Sequence, residues 1–277
     1  MSSNGKTKKN DNSGKRFYVH TFGCQMNVHD SEKIAGIMTE SGLEVTDSVN
    51  DADIIVLNTC SIRQKAEQKF YSELGRLELV KKNNPDVKIA VAGCIAQQKG
   101  KALLKRFQYV DFIFGPDNID NLQSWIDDNS ARTALEFNSE YHNKILPLRR
   151  EGRVKAWVSI MYGCDNFCSY CVVPYTRGRE RSRSGEDIYN EISLLADQGF
   201  KEVTLLGQNV NSYGRTLSDK TDFPDLLERI HDIHGIQRIR FVTSHQRDLS
   251  GKLVHAMKSL PKVCEHIHLP LQSGSSN

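Results

Sequence analysis

The chain has 277 residues, 38% of them hydrophobic and 26% charged, which exceeds one ordinary domain and suits two. A net charge of only +3 says little about partners, and the distribution says more: Lys and Arg gather in "GKTKKN", "LRREGRVK" and "TRGRERSRS". No apolar run reaches the ~18–20 residues of a membrane span, and the N-terminus has neither a secretory pattern nor an amphipathic period, so a cytoplasmic protein with no membrane partner is expected.

Residues 1–15 are polar and read as a disordered tail. From residue 16 apolar runs alternate with helical patterns. "RFYVHTFG" precedes a helix over 30–41, and "ADIIVLNT" precedes "SIRQKAEQKFYSELGRLELVKKN". "VKIAVAG" leads into "IAQQKGKALLKRF", and "VDFIFGP" into "DNIDNLQSWIDD". Strand then helix, repeated, predicts an α/β domain with a parallel Rossmann- or flavodoxin-like sheet over 16–130. The runs carry almost no charge, as strands buried on both faces do.

Residues 131–150 lack a clear period and are read as a linker. A second series fills 151–277. Its strands are "KAWVSIMYG", "KEVTLLGQ", "QRIRFVTS" and "KVCEHIHLP", alternating with helices "GEDIYNEISLLADQGF", "DFPDLLERIHDI" and "DLSGKLVHAMKSL". A complete eightfold (β/α) barrel takes about 250 residues. The second domain is therefore expected to be an incomplete barrel. Its last strand would leave an open edge, so the chain is expected to be a fragment of a longer protein.

Seven cysteines in a reducing compartment suggest metal binding or catalysis rather than disulfides. Cys164, Cys168 and Cys171 lie in "MYGCDNFCSYCVVP", spaced C-x3-C-x2-C. A zinc module is the alternative, but it takes four ligands and usually shows C-x2-C pairs. Thiolates also suit iron–sulfur clusters, and a cubane held by three cysteines leaves one iron open. The loop follows a barrel strand, at the end where such folds place their chemistry.

A second set has one member behind each of three strands: Cys24 in "HTFGCQMN", Cys60 in "VLNTCSIR" and Cys94 in "AVAGCIAQ". In a parallel sheet those strand ends share one rim, where ligands bind. Buried packing cysteines are the alternative. Cys264 in "KVCEHIHLP" has no such companions and is read as a packed strand residue.

C-x3-C-x2-C with Tyr170 before its last cysteine resembles the radical S-adenosylmethionine signature. Both cysteine sets together resemble the methylthiotransferases of that superfamily, from about residue 16 to 277. Within them "TFGCQMN", "NTCSIRQKAEQK", "GCIAQ", "GPDNI", "YGCDNFCSYCVVPYTRGRERSR", "LLGQNVNSYG" and "HLPLQSGS" are most similar to members that act on tRNA. The resemblance implies two [4Fe–4S] clusters and S-adenosyl-L-methionine. Cys164, Cys168 and Cys171 would carry the catalytic cluster, and Cys24, Cys60 and Cys94 the auxiliary one. The implied reaction adds a methylthio group to C2 of an isopentenylated adenosine beside the anticodon. It further implies an electron donor such as a flavodoxin or ferredoxin, a sulfur donor that the sequence does not name, and a monomer. The family's C-terminal RNA-contacting β-barrel is expected to be absent from this stretch of sequence.

Alternative acceptors are a ribosomal protein or a threonylcarbamoyl-adenosine in tRNA, and a non-catalytic metal- or RNA-binding α/β module is a third reading. Tyr170, Gly207, Gln208, Asn209, Gln272 and Ser273 are expected to bind the cofactor. Arg177, Arg179, Arg181 and Arg183 are expected to contact RNA phosphates, because guanidinium groups bond such oxyanions bidentately. Tyr175 and Tyr213 are candidate stacking residues. His245, in "FVTSHQRDL", lacks the proline expected after it and is a weak site candidate.

Overall fold

The computed structural model describes residues 12, 14–61, 64–128, 132–138, 141, 146–150, 152–272 and 274. Most of the expected tail and part of the expected linker therefore lie outside the described residues. The chain divides into two compact units, one from 1–23, 30–136 and 145–149, the other from 24–29, 137–144 and 150–277.

The first unit is built on six strands: β1 (Arg16–Phe22), β2 (Glu44–Val45), β3 (Ile54–Thr59), β4 (Lys88–Gly93), β5 (Phe112–Phe114) and β6 (Thr133–Ala134). They form one sheet of order β2-β1-β3-β4-β5-β6, with every pairing parallel. All six residues of β3 are buried, which places the most continuous apolar run between β1 and β4. Each fully buried Ile, Val or Leu there contributes about 1.5–3 kcal/mol. The helices are α1 (Gln25–Glu40), α2 (Gln64–Asn83), α3 (Cys94–Arg106) and α4 (Leu122–Asp128). Phe70, Leu74 and Leu77 of α2, spaced for one helical face, join Ile55, Leu57, Ile89 and Val91 in the core.

Three details differ from the sequence expectation. The first helix starts at Gln25, not Asp30. The two-residue edge strands β2 and β6 are too short to show a period, and β6 falls within the expected linker. Pro116 opens a 3-10 turn over Pro116–Asn121 before α4, where one helix was expected.

The second unit has a parallel sheet formed by β7 (Lys155–Ser159), β10 (Glu202–Leu206) and β11 (Arg238–Phe241), in the order β11-β10-β7. Helices α6 (Gly185–Asp197), α7 (Phe223–His231) and α8 (Gly251–Ser259) alternate with them. Ser184 and Ser250 cap α6 and α8, and a reciprocal Asp222–Asp225 box opens α7. The fourth expected strand is only a bridge between Val263 and Ile239. Its ladder holds two bonds, Ile239 N–H to Lys262 O at 2.7 Å and Cys264 N–H to Ile239 O at 2.9 Å. Cys264 is partly exposed beside that bridge.

The run "KAWVSIMYG" is broken at Ile160. Its N–H still donates to Leu206 O of β10, whereas its C=O accepts from Arg183 N–H, both at 2.9 Å. The chain thus changes partner, and β8 (Met161–Tyr162) pairs antiparallel with β9 (Arg181–Ser182). The two short strands close the base of the cysteine loop.

Arg183 holds this junction. Its Nη1 donates to Ser159 O at 2.6 Å and to Glu191 Oε2 at 2.8 Å, while Arg150 Nη2 donates to Glu191 Oε1 at 3.3 Å. The side chains are 13%, 20% and 12% exposed for Arg183, Glu191 and Arg150, so removing Glu191 strips the carboxylate from two largely buried cations. Glu191→Ala should cost about 3 kcal/mol. The check is the urea midpoint at unchanged m, and a loss below about 1 kcal/mol would reduce the pair to an ordinary surface bridge.

Candidate functional site

The cysteine loop is built from its base outward. Gly163 leaves β8 at φ +71°, and a Cβ there would lie 2.0 Å from Arg179 O. Cys164 N–H then donates to Gly178 O at 3.2 Å, so both ends of the loop run side by side. Phe167 turns the chain at φ +44°, and Cys171 N–H donates to Cys168 O at 2.8 Å. Val173–Thr176 forms one helical turn, α5, before the chain returns to β9.

Cys164 is buried, whereas Cys168 and Cys171 are partly exposed. Burial pushes the Cys164 thiol up; the Asn166 amide opposes this, and negative charge on Glu180, Cys171 and Cys168 adds to it. Three soft donors on one short loop fit an iron–sulfur cluster. Among the described residues no three His, Cys, Asp or Glu side chains are gathered tightly enough to share a single ion.

Two residues between the cysteines tie the loop down, and nothing in their sequence pattern announced it. Asp165 Oδ1 accepts from Glu180 N–H at 3.1 Å and pairs with Arg179 Nε at 2.9 Å. Asn166 Oδ1 accepts from Arg247, which follows β11. Thr243, a β-branched residue held at φ +69°, accepts from Val210 N–H at 3.0 Å and fastens the loop after β11 to the loop after β10.

Gly207, Gln208 and Asn209 lie just past the C-terminal end of β10. Gly207 has a packing reason: a Cβ would lie 2.5 Å from Met161 Cγ. Asn209 Nδ2 donates to Asp248 Oδ2 at 2.6 Å, and Arg215 also donates to Asp248. Burial pushes the Asp248 carboxyl up, but these hydrogen bonds outweigh it and hold the group below the usual carboxylate range. Glu180 goes the other way. Burial raises its carboxyl, against a 2.7 Å hydrogen bond donated by Ser212. Three buried acceptor oxygens, Glu180 Oε1, Gln208 Oε1 and Asn209 Oδ1, have no hydrogen-bond partner among the described residues. Such atoms fit a ligand that donates hydrogen bonds, such as an ammonium group.

Gln272, exposed and at φ +68°, accepts from Tyr170 OH at 2.5 Å. Ser273 lies outside the described residues. His245 caps a short 3-10 turn, its Nδ1 accepting from Arg247 N–H at 3.2 Å.

The four arginines do not form one surface. Arg177 is buried, Arg183 holds Glu191, and Arg181 donates to Asn138 O and Arg177 O, each at 2.9 Å. Arg179 is exposed. Tyr213 is likewise not available for stacking. It is buried and donates its OH to Arg183 O at 2.8 Å, whereas Tyr175 is exposed.

Of the second cysteine set, Cys60 directly follows β3 and Cys94 opens α3 directly after β4. Cys24 stands two residues beyond β1 and approaches Asn27 Oδ1 at 3.4 Å. Phe22, Thr59 and Gly93 are register partners across β1, β3 and β4, so the three chains leave the sheet from one row. Gly93, at φ +89°, makes that exit possible, since a Cβ would lie 2.4 Å from Thr59 O.

Residues 16–115 match the family described as "Uncharacterized protein family UPF0004", and residues 158–277 match the radical SAM superfamily. The chain is 56% identical over 264 residues to a tRNA-2-methylthio-N(6)-dimethylallyladenosine synthase of Thermodesulfovibrio yellowstonii, covering 95% of this chain and 61% of that protein. It is 52% identical to the protein of the same name from Syntrophus aciditrophicus, over 94% of this chain and 58% of the relative. The chain thus spans about three fifths of the length of these curated relatives. The fold resembles the radical S-adenosylmethionine methyltransferase TsrM of Kitasatospora setae, with a TM-score of 0.63 at 12% identity, over 92% of this chain and 59% of TsrM. It also resembles the cobalamin-dependent radical enzyme OxsB, with a TM-score of 0.61 at 13% identity, over 94% of this chain and 44% of OxsB. Two matched families in this order, a three-cysteine loop beyond a parallel sheet, and relatives identical at more than half of the aligned positions lead to one assignment: residues 158–277 form a radical SAM superfamily region that follows a region of the family described as UPF0004.

Proposed function

We propose that the chain catalyses methylthiolation at C2 of an isopentenylated adenosine next to the anticodon of tRNA. The observation that carries this reading is the loop of Cys164, Cys168 and Cys171, closed by β8 and β9 beyond a parallel sheet, in a chain whose relatives are named for that product. Residues 16–130 act as the methylthiotransferase domain, 131–150 as a linker and 151–277 as the radical domain.

Cys164, Cys168 and Cys171 would hold one [4Fe–4S] cluster, and Cys24, Cys60 and Cys94 a second. Bound there, the clusters and S-adenosyl-L-methionine supply one-electron chemistry, a carbon-centred oxidant able to take hydrogen from adenine C2, and a seat for the sulfur to be transferred. The chain's own residues do the positioning. Asp165 and Asn166 hold the loop at its two non-cysteine anchors. Glu180, Gln208 and Asn209 offer acceptor oxygens for an ammonium donor, and Tyr170 with Gln272 shields the exposed side of the loop. Arg179 faces solvent and is the member of its run best placed for a phosphate. An electron donor such as a flavodoxin or ferredoxin is required, and the protein works as a monomer in the cytoplasm. No described helix is long and apolar enough to cross a membrane.

The test is metal analysis of protein purified without oxygen, followed by an acceptor assay. About eight irons per chain, as two four-iron cubanes, and a methylthio group on isopentenylated tRNA are expected. Zinc without iron sinks the radical mechanism. Modification of a ribosomal protein in place of tRNA replaces the acceptor and keeps the chemistry.

A further inference from the structure

The outer side of the cysteine loop carries aromatic surface that the positioning roles above do not use. Tyr175 is 66% exposed, Phe137 53% and Phe167 45%. Phe167 and Tyr175 meet edge to face with centroids 6.0 Å apart, and the Arg179 guanidinium lies 5.1 Å from the Phe167 ring centroid. Arg179 also lines a cavity of about 270 Å³, together with Phe137, Pro174, Gly178 and Arg181. Gly178, at φ +74°, keeps its floor open, since a Cβ there would approach Phe137 Cδ1 to 3.2 Å.

Grouped aromatics at a surface mark a binding face rather than chance exposure. The chemistry of this one is narrow. Two guanidinium groups disfavour a cationic partner and favour an oxyanion or a ring edge rich in acceptors. Arg181 is already fixed by two carbonyls, so its plane is set before anything binds. The volume falls just below the ~300–1,000 Å³ of whole-ligand pockets and suits one ring system. Unpaired bases are recognised by stacking on aromatic and guanidinium planes, which duplexes cannot offer.

Resting on the reading of tRNA as acceptor, we propose that this groove takes an unpaired nucleobase of the RNA substrate. The base stacks on Phe137, with the exposed Arg179 at its edge or its phosphate and the Arg181 guanidinium as a fixed wall of the groove. The groove is then a subsite for a nucleotide flanking the reacting adenosine, and it selects single-stranded over paired RNA.

The experiment measures equilibrium binding of a single-stranded oligoadenylate and of an RNA duplex of equal length, at one fixed salt concentration. Phe137→Ala is expected to weaken the oligoadenylate about tenfold, as loss of one stacked base does, and to leave the duplex unchanged. Phe137→Trp should restore the affinity. Equal binding by wild type and Phe137→Ala overturns the proposal, as does a loss that falls equally on the duplex, or a wild type that binds no single strand. The acceptor assay run beside it separates the two readings: Phe137-dependent binding without tRNA modification keeps the groove and removes the reaction. If Phe137→Ala instead abolishes modification of a ribosomal protein and leaves RNA binding untouched, the groove belongs to a polypeptide and the nucleobase assignment falls.

Discussion

A Cys164→Ala variant is expected to keep both sheets, to bind about four irons where the wild type binds about eight, and to lose all S-adenosylmethionine cleavage. The expectation rests on how the loop is held. Cys164 N–H to Gly178 O and Cys171 N–H to Cys168 O are backbone bonds, and Asp165 and Asn166 are the side-chain anchors. None of them needs the thiol. Alanine is smaller and fits the same buried position, so the melting temperature should change little while one cluster disappears. Cys24→Ala is the matching control from the other set. It should also remove about four irons, but leave cofactor cleavage in place and stop sulfur transfer. Iron content with a cleavage assay for 5′-deoxyadenosine reads both variants. If Cys164→Ala keeps the full iron content, the loop is not a cluster ligand set. If Cys24→Ala keeps it, the second set is a row of packing cysteines.

The parts legible in the sequence were those written in periodic or repeated form. The all-buried β3 read as a strand covered on both faces because "IIVLNT" carries no charge, and α2 repeats its buried residues at helical spacing. The spacing of Cys164, Cys168 and Cys171 was visible because three identical side chains stand within one short loop. What escaped was set by partners distant in sequence. Nothing around Ile160 signals that its C=O leaves β10 for Arg183, and that switch creates β8 and β9. The alternation in "RGRERSR" looks like one charged face. Yet Glu191 claims Arg183 and backbone carbonyls claim Arg181, which leaves Arg179 as the exposed member. Tyr213 departs from the expected stacking position for the same reason: its hydroxyl finds the Arg183 carbonyl, and the ring is buried. Phe137 stood in an aperiodic stretch that offered no reason to single it out.

Gly163→Ala should be as damaging to the site as losing a cysteine, by another route. The residue sits at φ +71°, where a side chain costs about 1–2 kcal/mol. A Cβ would also lie 2.0 Å from Arg179 O and 2.5 Å from Gly178 O, and both are backbone atoms that no rotamer change can move. Forcing them apart adds roughly 1–3 kcal/mol, giving about 4 kcal/mol in all. That strain falls where Cys164 N–H meets Gly178 O, so the loop must open at its base. Gly199 provides the comparison, because it has φ +94° but nothing within 4 Å of where a Cβ would stand. Gly199→Ala pays only the conformational part, about 1–2 kcal/mol, and should keep its iron. The checks are urea unfolding of the two variants and their iron content after anaerobic reconstitution. A Gly163→Ala protein that is no less stable than Gly199→Ala and binds full iron would mean that the close pairing of the loop ends does not hold the cysteines in place.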